Sequence, residues 1–431
     1  MSVRPISREI QDQIFKAVET NAEKQVQWLR RLVMFPSTRG NEAECQEWLA
    51  GEFQSREWTV DRYTLDEVAI EGLPGFSPVV GADYSKAVQV VATCKASEPA
   101  GRSLILQGHI DVVPPGALEL WEHSPFEPRI VEGFMYGRGA NDMKVGVTAM
   151  VFALDALKDI GYRPDADVYV ETVSEEECTG NGALSTLVRG YRADACLIPE
   201  SSDNTLCRAE LGSVWFRLRI LGAPVHVLSA RDNANAILLA YEYIEALKQL
   251  TTEFNEEAKS HPWFSHIENP VRCSVGKING GDWLGSVPAW CEIECRLSVL
   301  PGHSLESVRA RVTQAVRSCA EGIDAARIPE VSWIGFQADG HVFEPGSDAE
   351  AVLAKVHEDI LGAALVRTSE TATSDTRQYD LYYGIPALCY GPRGTGSHSP
   401  AERADLASMV ETTKIIAVFI AAWCGLKKIP T

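Results

Sequence analysis

Residues 103–111 read Ser-Leu-Ile-Leu-Gln-Gly-His-Ile-Asp, and residues 133–144 read Gly-Phe-Met-Tyr-Gly-Arg-Gly-Ala-Asn-Asp-Met-Lys. The apolar run at 104–106 is short and ends beside Gly108, the pattern of a buried strand. His109 and Asp111 follow two residues apart, so on extended backbone their side chains point the same way. Asp142 stands just before an apolar stretch that predicts a long helix over 143–160. A histidine and carboxylates leaving strand ends suit a metal site of borderline-to-hard ligands. Taken alone, the His-x-Asp pair also fits a buried, hydrogen-bonded histidine beside a loop aspartate. The rest of the chain decides between the two.

Upstream, helical spacing of Ile10, Ile14, Phe15, Val18, Trp28, Leu29 and Leu32 predicts helix over 7–33, the first twenty residues forming an accessory arm. A second helix is expected at 41–54, with strands at 58–63 and 87–92. Downstream, a hairpin is expected around Gly133. In helix 143–160, Lys144, Thr148, Asp155 and Asp159 share one stripe and the other sides are apolar, so this helix is largely buried. Strand 167–172 runs directly into Ser174-Glu175-Glu176-Glu177, and a helix at 182–190 leads to strand 195–199, which ends on Glu200. Strand, helix, strand, helix, strand is the pattern of a parallel sheet.

The character then changes. Residues 214–221 alternate Phe216, Leu218 and Ile220 with Arg217 and Arg219. Residues 289–299 alternate Ile293, Cys295 and Leu297 with Glu292, Glu294 and Arg296. Such strands are antiparallel and half solvated. With helices at 231–257 and 304–321 they make a separate α+β unit, inserted in the first. The chain divides into 1–212, 213–338 and 339–431. The last part resumes the α/β pattern with helix 348–361, strand 387–390, a glycine-rich loop at 391–398 and a closing helix.

At 431 residues the chain exceeds one ordinary core, and 45% hydrophobic with 23% charged residues is a globular composition. A formal charge of −19 excludes the basic face that nucleic acid requires. Eleven cysteines without Cys-x-x-Cys spacing indicate neither a zinc ribbon nor a disulfide framework. Buried thiols and an N-terminus without an apolar signal core lead us to expect a cytoplasmic protein. The longest apolar run, 415–424, is about half of a bilayer crossing, and no membrane partner is expected.

His109 and Asp111 follow one expected strand, Glu176 and Glu177 a second and Glu200 a third, and His398 lies beyond a fourth. Open α/β sheets bind ligands outside the carboxyl ends of their strands, so these residues should converge. A solvated acidic turn is the bland account of Glu175–Glu177, but three adjacent carboxylates without cations repel one another.

Gly-His-Ile-Asp-Val-Val-Pro-Pro-Gly, Tyr-Gly-Arg-Gly-Ala-Asn-Asp-Met-Lys, Ser-Glu-Glu-Glu, Ile-Pro-Glu-Ser and the late Gly-Ser-His-Ser-Pro closely resemble motifs of the acetylornithine deacetylase / succinyl-diaminopimelate desuccinylase / carboxypeptidase G superfamily of di-metal amidohydrolases. The motifs run in order from about residue 25 to the end. The resemblance implies an α/β catalytic domain, its mostly parallel sheet covered by helices on both faces. It also implies an α+β lid and dimerisation domain of four antiparallel strands and two helices. Two divalent ions are implied, zinc first, with cobalt or manganese possible. His109 would bind one and His398 the other, Asp142 would bridge them, and Glu177 and Glu200 would complete the pair. Asp111 would hold His109 by its second nitrogen. Glu176, counted back from Gly182, would be the general base. His226 would reach across a homodimer to the oxyanion. Arg296 would grip a substrate carboxylate, unless it pairs across strands with Glu292 or Glu294. Asn279 would add a polar contact, and Asp375 and Arg377 would support the site. The substrate would be a small N-acyl amino acid or related N-acyl amine, or else a dipeptide or another C–N bond. Pro400-Ala401-Glu402 departs from the family pattern, as do the 391–397 loop and segment 261–270, and the latter two are expected to line the pocket.

Overall fold

The computed structural model describes residues 6–229, 234–320 and 327–430. Helices α1 (Arg8–Thr20), α2 (Ala22–Val33) and α3 (Ala43–Ser55) open the chain. The helix expected over 7–33 is thus interrupted at Asn21, whose side chain donates to Asp159 (2.6 Å) instead of facing along a helix. Strands β1 (Thr59–Thr64), β2 (Val88–Cys94) and β3 (Leu104–His109) follow, then the expected hairpin of β4 (Arg129–Val131) and β5 (Phe134–Tyr136). After helix α4 (Val145–Asp159) come β6 (Tyr162–Pro164), β7 (Val168–Val173), helix α5 (Asn181–Val188), β8 (Cys196–Ile198) and β9 (Leu206–Glu210). Strand β10 (Gly212–Leu221), helix α6 (Ala236–Ala258), strands β11 (Cys273–Gly280) and β12 (Trp290–Val299), helix α7 (Leu305–Cys319) and strand β13 (Val331–Ala338) make the next run. The chain returns through β14 (His341–Val342), helix α8 (Asp348–Leu361), β15 (Arg367–Glu370), β16 (Ala387–Cys389) and helix α9 (Leu406–Cys424).

The main sheet runs β1–β2–β7–β3–β8–β16. β7, β3, β8 and β16 are mutually parallel, and β1 and β2 join antiparallel at one side. β3 is buried at every position, so both of its faces are covered, which is why it reads as an apolar run rather than an alternation. Its register sets His109 opposite Val173, so the site residues after β3 and β7 leave the sheet at one level. Helix α4 begins later than expected, because the backbone of Asp142 (φ −116°, ψ 98°) and Met143 is not helical. Its polar stripe faces solvent only at its last member, Asp159. Lys144 and Thr148 are fully buried, Lys144 Nζ donates to the Phe35 carbonyl (3.0 Å), and Asp155 pairs with Arg56 (2.9 Å). Helix α9 is long and apolar enough to cross a membrane, yet 72% of its apolar window is buried within the protein, in the core beneath the sheet.

The second sheet is β11–β12–β10–β13, antiparallel throughout. Phe216, Leu218, Ile220, Ile293 and Leu297 join α6 and α7 in a core separate from the first. The expected start of α6 at 231–233 lies outside the described residues. Within them the helix begins at Ala236, where the Asn235 side chain accepts the N–H groups of Ile237 and Leu238 as a cap. The end of the second expected helix, Glu321, is also outside. In segment 261–270, Phe264 is buried in the second core, with Trp263 and Ile267 packed against it.

Candidate active site

The parallel strands deliver the expected ligands to one place. His109 Nδ1 donates to the main-chain carbonyl of Asp111 (2.9 Å), so its Nε2 lone pair faces outward. That Nε2 lies 3.2 Å from Asp142 Oδ1 and 3.4 Å from Glu200 Oε1. The other oxygen of Asp142 lies 3.3 Å from His398 Nε2, which is 3.1 Å from Glu177. Asp142 therefore stands between two histidines, with Glu200 on one side and Glu177 on the other. His398 is held in left-handed backbone (φ +64°), which turns its ring back from the 391–398 loop toward the sheet. Ser397 of that loop accepts from Asn141 Nδ2 (2.8 Å).

The three consecutive glutamates separate. Glu175 turns away, to Arg39 and Tyr84. Glu176 is buried, 3.9 Å from His109 Nε2, and its carboxylate makes no hydrogen bond among the described residues. Gly182, from which the glutamates are counted, is required there: a Cβ would sit 1.9 Å from the Ser174 carbonyl, so α5 can close on this turn only through glycine. Asp111 differs from expectation. Its carboxylate is 3.6 Å from His109 Nδ1, while its oxygens accept the N–H groups of Glu176 (3.3 Å) and Glu177 (3.1 Å). Its backbone orients the histidine and its side chain holds the glutamate turn.

Glu402, seen in the sequence only as a departure, is 1% exposed and accepts the N–H groups of Asn141 and Asp142 (both 3.1 Å) while pairing with buried Arg138. It fixes the backbone behind the central aspartate. Asp375 accepts from Gln107 Nε2 (2.8 Å), and Arg377 donates to the Thr179 carbonyl (3.1 Å), so this pair braces the site from below. The signal for Glu402 was its place four residues past His398; none pointed to Arg138.

His226, Arg296 and Asn279 are not brought to this cluster. His226 is exposed and its Nδ1 accepts from the Leu228 N–H (3.2 Å), and Asn279 is exposed on β11. Arg296 pairs with neither Glu292 nor Glu294, which are taken by Arg217, Arg219 and Lys277. No carboxylate among the described residues lies within ion-pair distance of it, and burial pulls its pKa down.

The electrostatics ask for positive charge. Burial, then repulsion from Asp142, raises the pKa of Glu177, and burial raises Glu176 and Glu200. Burial disfavours a charged His109, yet Asp111, Asp142 and Glu200 hold it well above the usual imidazole range; hydrogen bonds donated by His398 to Asp142 and Glu177 push its own pKa up to about 11. Lone-pair atoms face one another at 3.1–3.4 Å, the edge of a tetrahedron around an ion with about 2.0–2.1 Å bonds. Imidazole and carboxylate donors of this kind fit divalent cations, and His109, Asp142 and Glu177 stand close enough to share one.

Beneath the site, Glu171 on β7 is fully buried and accepts the hydroxyls of Tyr379 (2.6 Å) and Thr186 (2.7 Å). Burial raises its pKa to about 7. The raised value favours the protonated folded form, so its contribution to stability is complete below about pH 4.5 and is lost as pH rises through 7. The loss is on the order of 3 kcal/mol, and the Glu171→Gln variant escapes it. Urea midpoints will show the variant close to wild type at pH 4.5 and more stable at pH 8; equal midpoints at pH 8 contradict this.

A strand-end cluster of two histidines bridged by an aspartate, with an unbonded carboxylate beside it, defines a metal-dependent amide hydrolase. The chain belongs to the family described as Peptidase family M20/M25/M40, which it matches over residues 105–422. It is 26% identical over 440 residues to the N-formyl-4-amino-5-aminomethyl-2-methylpyrimidine deformylase of Bacillus subtilis strain 168, covering 96% of this chain and 97% of that protein. It is 28% identical over 324 residues to the succinyl-diaminopimelate desuccinylase of Rhodopseudomonas palustris strain BisB5, covering 72% and 80%. In fold it is similar to the di-peptidase Dug1p of Saccharomyces cerevisiae, with TM-score 0.77, 16% identity and coverage of 96% and 98%.

Proposed function

We propose that this protein removes a short acyl group, formyl first among them, from the nitrogen of a small amine. The observation that carries the reading is Glu176: a buried carboxylate without a hydrogen bond among the described residues, 3.9 Å from one ligand of a two-histidine cluster. The full-length similarity to a deformylase supports an N-acyl amine over a peptide. His109, Asp142 and Glu200 would hold one divalent ion, and Asp142, Glu177 and His398 a second. Zinc suits this donor set, and cobalt and manganese are accepted by it. Bound there, the ions supply Lewis acidity that acidifies a water and polarises the amide carbonyl.

Glu176 takes the proton of the attacking water, and the new C–O bond forms as the C–N bond weakens. The same carboxyl then returns the proton to the departing nitrogen, giving the free amine and a carboxylic acid that loses its remaining proton to solvent. A base with a raised pKa suits both halves of this transfer. Arg296, with no carboxylate partner of its own, binds an anionic group on the substrate, and Asn279 adds a polar contact. Segments 1–212 and 339–431 form the catalytic domain, and 213–338 is the lid and dimerisation domain. Initial rates on N-formyl, N-acetyl and N-succinyl amines against dipeptides test the assignment; turnover of dipeptides alone overturns it.

A homodimer completes this reading. Leu228, Leu238, Ile278, Trp283 and Leu284 are exposed on the smaller unit, Leu228 (89% exposed) two residues from His226. Apolar side chains so exposed mark an association surface, and His226 of the partner subunit would stabilise the oxyanion. Leu228→Glu with Leu284→Glu will give a monomer by light scattering and lower kcat at least about 10²-fold, the usual cost of one oxyanion donor. A dimer of full activity contradicts it. Buried cysteines such as Cys45, Cys196 and Cys389, outside any disulfide framework, suit a cytoplasmic setting.

A further inference from the structure

The reaction proposed above uses Glu176 and Glu177 but not Glu175, the most tightly held of the three. Glu175 is 1% exposed and lies at φ +71°, a conformation disfavoured for a residue with a side chain. Its carboxylate accepts both Nε and Nη2 of Arg39, the phenol of Tyr84 (2.8 Å) and the hydroxyl of Thr179 (3.0 Å). Its carbonyl accepts the N–H groups of Thr179 (2.9 Å) and Gly180 (2.7 Å). Arg39 arrives from the loop after α2 and is itself steadied by the Val80 carbonyl (3.1 Å). Tyr84 arrives from the loop before β2 and accepts from Asn181 Nδ2 (2.9 Å) at the start of α5. Two distant segments thus meet on the residue that precedes the base. From the opposite side, Asp111 takes the N–H groups of Glu176 and Glu177.

We infer that Arg39 and Glu175 are a positioning pair: their bidentate contact holds the 175–177 backbone so that Glu176 faces the reacting groups and Glu177 faces His398. This rests on Glu176 being the base. Glu175 is buried and Arg39 partly exposed, and an ion pair with a buried partner is a poor source of net stability, since apolar or neutral replacements of both partners are often as stable. Geometry is its use here. Released from Arg39, residue 175 can leave its left-handed conformation, and the two following carboxylates move with it. A displacement of about 1 Å at a catalytic group is enough to cost about 10²-fold in rate.

The test uses the dimetal enzyme and its Arg39→Met, Arg39→Met/Glu175→Gln and Glu176→Gln variants, read by kcat, KM, melting temperature and cobalt titration of the metal-free proteins. Arg39→Met will lose about 10²-fold in kcat with KM within about threefold. Its second cobalt ion will bind about 10–100-fold more weakly while the first is unchanged. The double variant leaves no buried charge unpaired, so it will regain the wild-type melting temperature without regaining kcat. Recovery of kcat together with melting temperature would show a purely structural ion pair and overturn the inference. So would full activity of Arg39→Met while Glu176→Gln is inactive. An active Glu176→Gln overturns the reading beneath it, which is a distinguishable failure.

Discussion

Glu176→Gln will lower kcat by about 10³–10⁴-fold with little change in KM and no change in metal content. The amide keeps the shape of the carboxylate but cannot take a proton from water or return one to nitrogen. Neighbouring residues do not replace it: Glu175 is tied to Arg39, Asp111 is occupied by two backbone N–H groups, and Glu177 faces His398. Because the Glu176 carboxylate makes no hydrogen bond among the described residues and its backbone N–H to Asp111 is kept, the isosteric amide should leave the fold intact. Stopped assays with matched protein and metal check this. A variant within tenfold of wild type would move the base elsewhere in the site.

Asp142→Asn will have the widest effect of any single ligand change. One carboxylate faces both histidines, at 3.2 and 3.3 Å, so removing its charge weakens both ion positions together. Glu200→Gln or His398→Ala should each weaken one position and leave the other. Metal analysis after dialysis will find fewer than one ion per chain in Asp142→Asn and about one in each of the other two. Activity of Asp142→Asn will fall below detection even at added zinc concentrations that restore Glu200→Gln. Retention of two ions by Asp142→Asn contradicts a shared bridging ligand.

The strand-end logic was legible because it is local. A buried parallel strand shows itself as an apolar run, and the residue at which the run stops is where a side chain can face a ligand. That reading placed His109, Glu176, Glu177 and Glu200 before any long-range contact was known, and the alternation at 214–221 marked the second sheet equally well. What stayed hidden was long-range. Nothing in residues 36–40 tells that Arg39 reaches Glu175, and nothing around Glu402 tells that its carboxylate holds the backbone of Asp142. The interruption at Asn21 is tertiary as well, since helical periodicity continues on both sides of it. Asp111 shows a different limit. The resemblance implied a side-chain hold on His109; the backbone carbonyl takes the imidazole proton at 2.9 Å, while the carboxylate, 3.6 Å away, also accepts from the glutamate turn.

The most direct test of the central claim is anomalous diffraction from crystals of the protein equilibrated with zinc or cobalt. We expect two peaks, one among His109, Asp142 and Glu200 and one among Asp142, Glu177 and His398, with Glu176 beside both and bound to neither. A single site elsewhere, or His109 and His398 without a metal between them, would contradict it.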